Sequence, residues 1–73
     1  MKYPNTKYEV LSDWKPGDGI VTLESNNKSK AFQQAKSDTK GDFHESHVYQ
    51  YNDNGDIVNH WIFKAGKQQQ SMF

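Results

Sequence analysis

The stretch that decides the fold reads Phe43-His44-Glu45-Ser46-His47-Val48-Tyr49-Gln50-Tyr51, then Asn52-Asp53-Asn54-Gly55-Asp56, then Ile57-Val58-Asn59-His60-Trp61-Ile62-Phe63. Two runs of aromatic and β-branched residues flank a segment of turn formers. This pattern predicts a β-hairpin. Two turns fit it. A three-residue loop with Gly55 in the left-handed bulge position pairs Asn52 with Asp56 and Tyr51 with Ile57. It collects Phe43, His47, Tyr49, Tyr51, Ile57, Trp61 and Phe63 on one face, and His44, Val48, Val58, His60 and Ile62 on the other. A two-residue type I′ turn at Asn54-Gly55 instead groups Tyr49, Tyr51, Val58 and Ile62 opposite Val48, Ile57, Trp61 and Phe63. The first register is preferred, because Asn52 can make an Asx-type bond that opens a type I turn.

Upstream of the hairpin, Ala31, Phe32 and Ala35 form a narrow apolar stripe at helical spacing. They predict a helix over roughly residues 27–38, with N-cap candidates in Ser25 to Asn27 and Gly41 as the C-cap. So slim a stripe needs a sheet to complete its burial. Further out, Lys7 to Trp14 reads as a strand, with Tyr8, Val10 and Trp14 on one face and Glu9 and Asp13 on the other. Lys15-Pro16-Gly17-Asp18-Gly19 is a turn, and Ile20 to Leu23 returns as a short strand. The order is ββαββ. The expected class is α+β, an antiparallel four-stranded sheet with one helix packed on a face. Residues 7–66 form this single domain, between a flexible arm at 1–6 and a flexible tail at 67–73.

Composition narrows the chemistry. Hydrophobic residues supply 33% of 73, and aromatic residues 14%, so a few rings must carry a thin core. There is no cysteine, which excludes disulfides and thiolate metal sites and points to the cytosol. No apolar run is long enough for a signal peptide or a membrane span. The net charge is zero but unevenly spread. Lys28, Lys30, Lys36 and Lys40 stand against Asp38 alone over 28–40, whereas 41–63 hold Asp42, Glu45, Asp53 and Asp56 and no lysine. All basic residues are lysine, so the bidentate fork that clamps phosphate or reads guanine is missing.

No complete catalytic, metal or phosphate site is spelled out. His44 and His47 are three apart in a strand and point to opposite faces. His47 and His60 share a face only in the type I′ register, on a diagonal and without a third close ligand, so neither metal nor cofactor is expected. Glu45-Ser46-His47 is not a triad, because strand neighbours alternate sides. Gly17-Asp18-Gly19 lies between strands, with no helix directly after it to hold phosphate. Ser46-His47-Val48-Tyr49 before an Asn-Gly hairpin resembles the histidine strand of HicA-type RNA-cleaving toxins, over about fifteen residues and without the glycine that precedes the serine there. The resemblance implies His47 as a catalytic base.

Lys30-Ala31-Phe32-Gln33-Gln34-Ala35-Lys36, Asn54-Gly55-Asp56-Ile57 and Trp61 resemble small bacterial and phage ββαββ domains of unknown function. They are also similar to anti-CRISPR proteins in which a short sheet wraps one helix. That likeness, over about residues 20–64, implies an accessory or inhibitory protein of phage or mobile-element type, and no residue role. One helix cannot cover both hairpin faces. Packed on the aromatic side it makes the rings core, as rings this numerous most often are. Packed on the aliphatic side it leaves them an exposed platform, the case on which the functional reading rests. The expectation is therefore a non-enzymatic module that binds a protein partner through Tyr49, Tyr51 and Trp61, with Glu45, Asp53 and Asp56 adding charge complementarity. The alternatives are nucleic-acid binding through Lys28, Lys30, Lys36 and Lys40, RNA cleavage by His47, and a homodimer through an edge strand or the aromatic face.

Overall fold

The computed structural model describes residues 7–15 and 19–69. The expected arm at 1–6, the centre of the first turn and residues 70–73 lie outside them. Five strands and one helix follow in the order β1 (Tyr8–Asp13), β2 (Ile20–Ser25), α1 (Lys28–Lys40), β3 (Glu45–Tyr51), β4 (Ile57–Lys64) and β5 (Lys67–Gln68). The fold is α+β in ββαββ(β) order. The sheet runs β2-β1-β3-β4-β5, and every adjacent pair is antiparallel. No helix among the described residues is long and apolar enough to cross a membrane.

α1 begins at Asn27, whose side chain accepts from the Lys30 amide at 3.1 Å, while Ser25 Oγ accepts from the Asn27 amide. These bonds satisfy amides that the first turn leaves open. Its end is tied down by Thr39, whose hydroxyl donates to the Ala35 carbonyl, and by Gly41, whose amide donates to the Ser37 and Asp38 carbonyls. Gly41 has φ −92°, so this cap does not use the left-handed region that favours glycine.

The helix lies across one face of the sheet. Val10, Val48, Phe63, Ala31 and Ala35 are fully buried between the layers, and Tyr8, Leu23, Phe32 and Trp61 pack against them. Two alanines on the buried stripe let the helix approach closely, and Phe63 fills the space with about 2–3 kcal/mol of burial. At one end the interface turns polar. Ser12 and Ser46 are cross-strand partners with no exposure, their hydroxyls 2.5 Å apart. A bulge in β2 turns Thr22 to the same side, where Asp38 of α1 accepts from both Ser12 and Thr22 at 2.7 Å.

The hairpin combines both expected registers. Its turn is the three-residue form: the Asn52 amide donates to the Asp56 carbonyl, Asn52 Oδ1 accepts from the Asn54 and Asp56 amides, and Gly55 takes φ +86°. Tyr51 pairs with Ile57, but Gln50 pairs with Asn59, leaving Val58 as an extra residue in a bulge. Beyond it the strands follow the other register, with Tyr49 opposite His60 and Val48 opposite Trp61. The preferred face assignment is thereby corrected. One inserted residue moves Trp61 and Phe63 to the face of Val48, under the helix, and sends His60 and Ile62 to the face of Tyr49.

β5 was not legible in the sequence. Ala65 at φ +53° and Gly66 at φ +78° form the two-residue turn that joins it to β4, and left-handed conformations at both central positions mark the type I′ family. The Gly66 amide donates to Thr39 Oγ1 at 2.9 Å, so the end of the helix holds this turn.

Candidate functional site: the uncovered sheet face

Alternation along each strand sends a second set of side chains away from α1. β1 contributes Glu9, Leu11 and Asp13; β3 contributes Glu45, His47, Tyr49 and Tyr51; β4 contributes His60, Ile62 and Lys64. The register stacks them in rows, with Glu9 beside Tyr49, Leu11 beside His47 and Asp13 beside Glu45. His47 then neighbours Ile62, and Tyr49 neighbours His60. β2 adds Glu24 opposite Glu9 and Val21 opposite Leu11. Among the described residues, no helix or strand packs over this face.

Its centre is a bonded array of rings. His47 Nδ1 lies 2.8 Å from His60 Nε2, and His47 Nε2 lies 2.9 Å from Glu45 Oε1. Tyr49 stacks on His60 with centroids 4.4 Å apart. Glu45 also holds Lys64 through Oε2 at 3.3 Å. Burial pulls the Glu45 pKa upward, but its bonds to His47 and Lys64 outweigh this and the net shift is down. Burial, and then the charge of His47, push His60 below its ordinary value. Tyr49 is raised by burial and by the carboxylates of Glu9, Asp13 and Glu45. Tyr51 is pushed up to about 12, by burial and by donating its hydroxyl to Glu9 Oε1 at 2.9 Å. Among the strand residues of this face, Glu9, Asp13, Glu24 and Glu45 stand with Lys64, so its floor is acidic.

The expected binding residues do not form one platform. Tyr49 is half-buried on the uncovered face, and Glu45 stands on that face two residues away. Tyr51 is buried at 9% exposure with its hydroxyl engaged. Trp61 is on the opposite face, edge-on to Phe32 at 5.1 Å, with Lys28 Nζ 4.8 Å above its ring. Asp53 and Asp56 are exposed in the hairpin turn. Lys28, Lys30, Lys36 and Lys40 are exposed on α1, across the sheet from the ring array. The Lys40 stem lies over Gly66.

His47 also has a third close ligand-type neighbour, which alternation along β3 alone does not supply. Asp13, Glu45 and His47 bring one ligand-type atom each to within 4.8 Å of one another. Glu45 and His47, two apart on one strand, were visible as a same-face pair. Asp13 was not, because nothing in the sequence placed β1 beside β3.

Fold and face together define a small α+β domain, one helix over a five-stranded antiparallel sheet whose other side is acidic and ring-bearing. No protein-family model, curated protein or solved structure matches the chain.

Proposed function

We propose that this chain is a non-enzymatic interaction module that docks its uncovered sheet face on a basic surface of a protein partner. The observation that carries the reading is that Tyr49, Leu11 and Ile62 lie half-buried among four carboxylates, on a face that no described element packs against. Ile57 and Val58 add apolar rim at the hairpin end, 44% and 42% exposed. A ring set between apolar neighbours and opposed charges is the arrangement that dominates many protein contacts. The accessory or inhibitory role implied by the sequence resemblance is a role of this kind. The cysteine-free composition favours an encounter in the cytosol.

The rival readings fare less well on the same geometry. The α1 lysines lie on the far side from Tyr49 and His60, so phosphate contacts and base stacking are not offered by one surface. For RNA cleavage, His47 has the neighbours a general base needs in Glu45 and His60, but the surrounding carboxylates repel a phosphate backbone. Self-association through the same face is read by light scattering.

The test is capture from host lysate on immobilised protein, comparing wild type with Tyr49→Ala, Glu24→Lys and the helix-side control Lys36→Ala. Loss of a captured protein with the two face variants and not the control supports the reading. A hot-spot ring predicts a drop in affinity of roughly 30-fold for Tyr49→Ala. Identical capture by all four, with every variant folded, overturns it.

A further inference from the structure

A second site sits within the uncovered face and does not depend on a protein partner. Glu45 and His47 share a face because they are two apart on β3, and Asp13 lies directly across from Glu45 on β1. Their ligand-type atoms fall within 4.8 Å of one another. Asp13 is only 8% exposed, and its Oδ1 is buried without a hydrogen-bond partner among the described residues. A buried carboxylate oxygen with no donor is costly unless a cation reaches it. We propose that Asp13, Glu45 and His47 form a binding site for a divalent first-row transition-metal ion of the zinc class.

The donor set selects the ion. Magnesium and calcium take oxygen ligands in hard, oxygen-rich shells, whereas one imidazole with two carboxylates suits zinc, cobalt or nickel. The geometry is close to closing. Glu45 Oε1 and His47 Nε2 are already 2.9 Å apart, and with Asp13 the three ligand-type atoms span no more than 4.8 Å, so shifts of about 1 Å bring all three to the ~2.0–2.2 Å of zinc bonds. Two carboxylates balance the charge of the ion. Glu45 offers Oε1 and leaves Oε2 to Lys64, whose half-exposed side chain is free to move outward. Coordination through His47 Nε2 directs the ring proton to Nδ1, which then donates to His60 Nε2 at 2.8 Å. An imidazole held this way by a neighbour is oriented for a metal, so His60 is the positioning residue.

The experiment is calorimetric titration of the whole chain with zinc chloride alone, on wild type, Asp13→Asn, His47→Ala and the exposed control His44→Ala. One ion per chain is expected, with affinity reduced about tenfold or more in Asp13→Asn and His47→Ala, and unchanged in His44→Ala. Wild-type protein titrated with cobalt(II) supplies a readout that needs no variant: paramagnetic broadening centred on the amides of Asp13, Glu45 and His47. Absence of saturable one-to-one zinc binding overturns the proposal, as does equal loss in His44→Ala or broadening centred elsewhere.

Discussion

Asp38, the one acid in the lysine-rich helix, is predicted to be the polar pin of the fold. Its Oδ2 accepts from Ser12 and Thr22 at 2.7 Å, and its Oδ1 from Gln34 Nε2 at 2.8 Å, so it ties α1 to β1 and β2. Ser12 and Ser46 are fully buried and bonded to each other. In Asp38→Ala one hydroxyl proton of that pair loses its acceptor, at a cost of about 1–3 kcal/mol for a buried donor. Thr22 is half-buried and turns to water, and Gln34 does the same, adding roughly 1 kcal/mol together. The sum is about 3 kcal/mol. Against a total stability of about 4–11 kcal/mol for a domain of this length, Asp38→Ala removes a large share and lowers Tm by on the order of 15 °C. Asp38→Asn separates acceptor from charge. Its amide oxygen still serves both hydroxyls, and losing a negative charge in the last helical turn relieves an unfavourable dipole contact. Its expected cost is under about 1 kcal/mol. Urea denaturation of both variants measures the difference. The reasoning is refuted if Asp38→Ala stays within about 0.5 kcal/mol of wild type, or if Asp38→Asn is as damaging as the alanine.

Ala65 holds φ +53°, which asparagine or glycine adopts more cheaply, so Ala65→Asn is expected to stabilise by about 0.5–1 kcal/mol in the same urea assay. Phe63→Ala empties the centre of the interface and is expected to cost about 3–5 kcal/mol, enough to populate the unfolded state in circular dichroism at room temperature. Because the His60 pKa is lowered in the fold, the unfolded chain binds more protons below the ordinary histidine value of 6.5. Stability is therefore full above that pH and falls as pH drops toward the folded value, and His60→Gln removes this part of the profile. Glu45, lowered from 4.5, acts with the same sign at lower pH and leaves its own loss intact in that variant.

Much of the architecture was legible because local chemistry agreed with the final arrangement. Asn52 and Gly55 specified the hairpin turn, the three N-cap candidates Ser25 to Asn27 bracketed the helix start, and the alternation of Val10 against Glu9 and Asp13 marked the two faces of β1. The errors have physical causes. The Val58 bulge is invisible to alternation, since what selects it is the burial of Trp61 and Phe63 against Val48 and Phe32, a tertiary preference. β5 was missed because alanine is a poor residue for the left-handed turn position, and the hydrogen bond from Gly66 to Thr39 supplies what Ala65 lacks. The candidate site was half legible for a similar reason. Glu45, His47 and Tyr49 were recognisable on one strand, but their neighbours Glu9, Asp13 and His60 depend on strand order and on the bulge.

The two faces of the sheet do different work. On the helix side, apolar contact and the satisfied Ser12, Ser46 and Asp38 network favour folding. On the other side, Glu9 and Asp13 are 5% and 8% exposed although no described helix or strand packs over them. Removing a carboxylate from water opposes folding unless a cation or donor meets it. Glu9 Oε1 accepts from the Tyr51 hydroxyl, whereas Asp13 Oδ1 is buried without a hydrogen-bond partner among the described residues, and nothing in the packing of α1 requires it there. A face that retains such a cost is better explained by what it binds than by what it stabilises. The two proposed uses of it are separable, because a protein contact centred on Tyr49 and Glu24 survives a chelator, whereas the zinc complex of Asp13, Glu45 and His47 does not. Capture of a partner that persists in chelator, beside zinc binding that persists in Tyr49→Ala, is the outcome that keeps both. Capture abolished by chelator in wild type alone merges them into one metal-bridged interface.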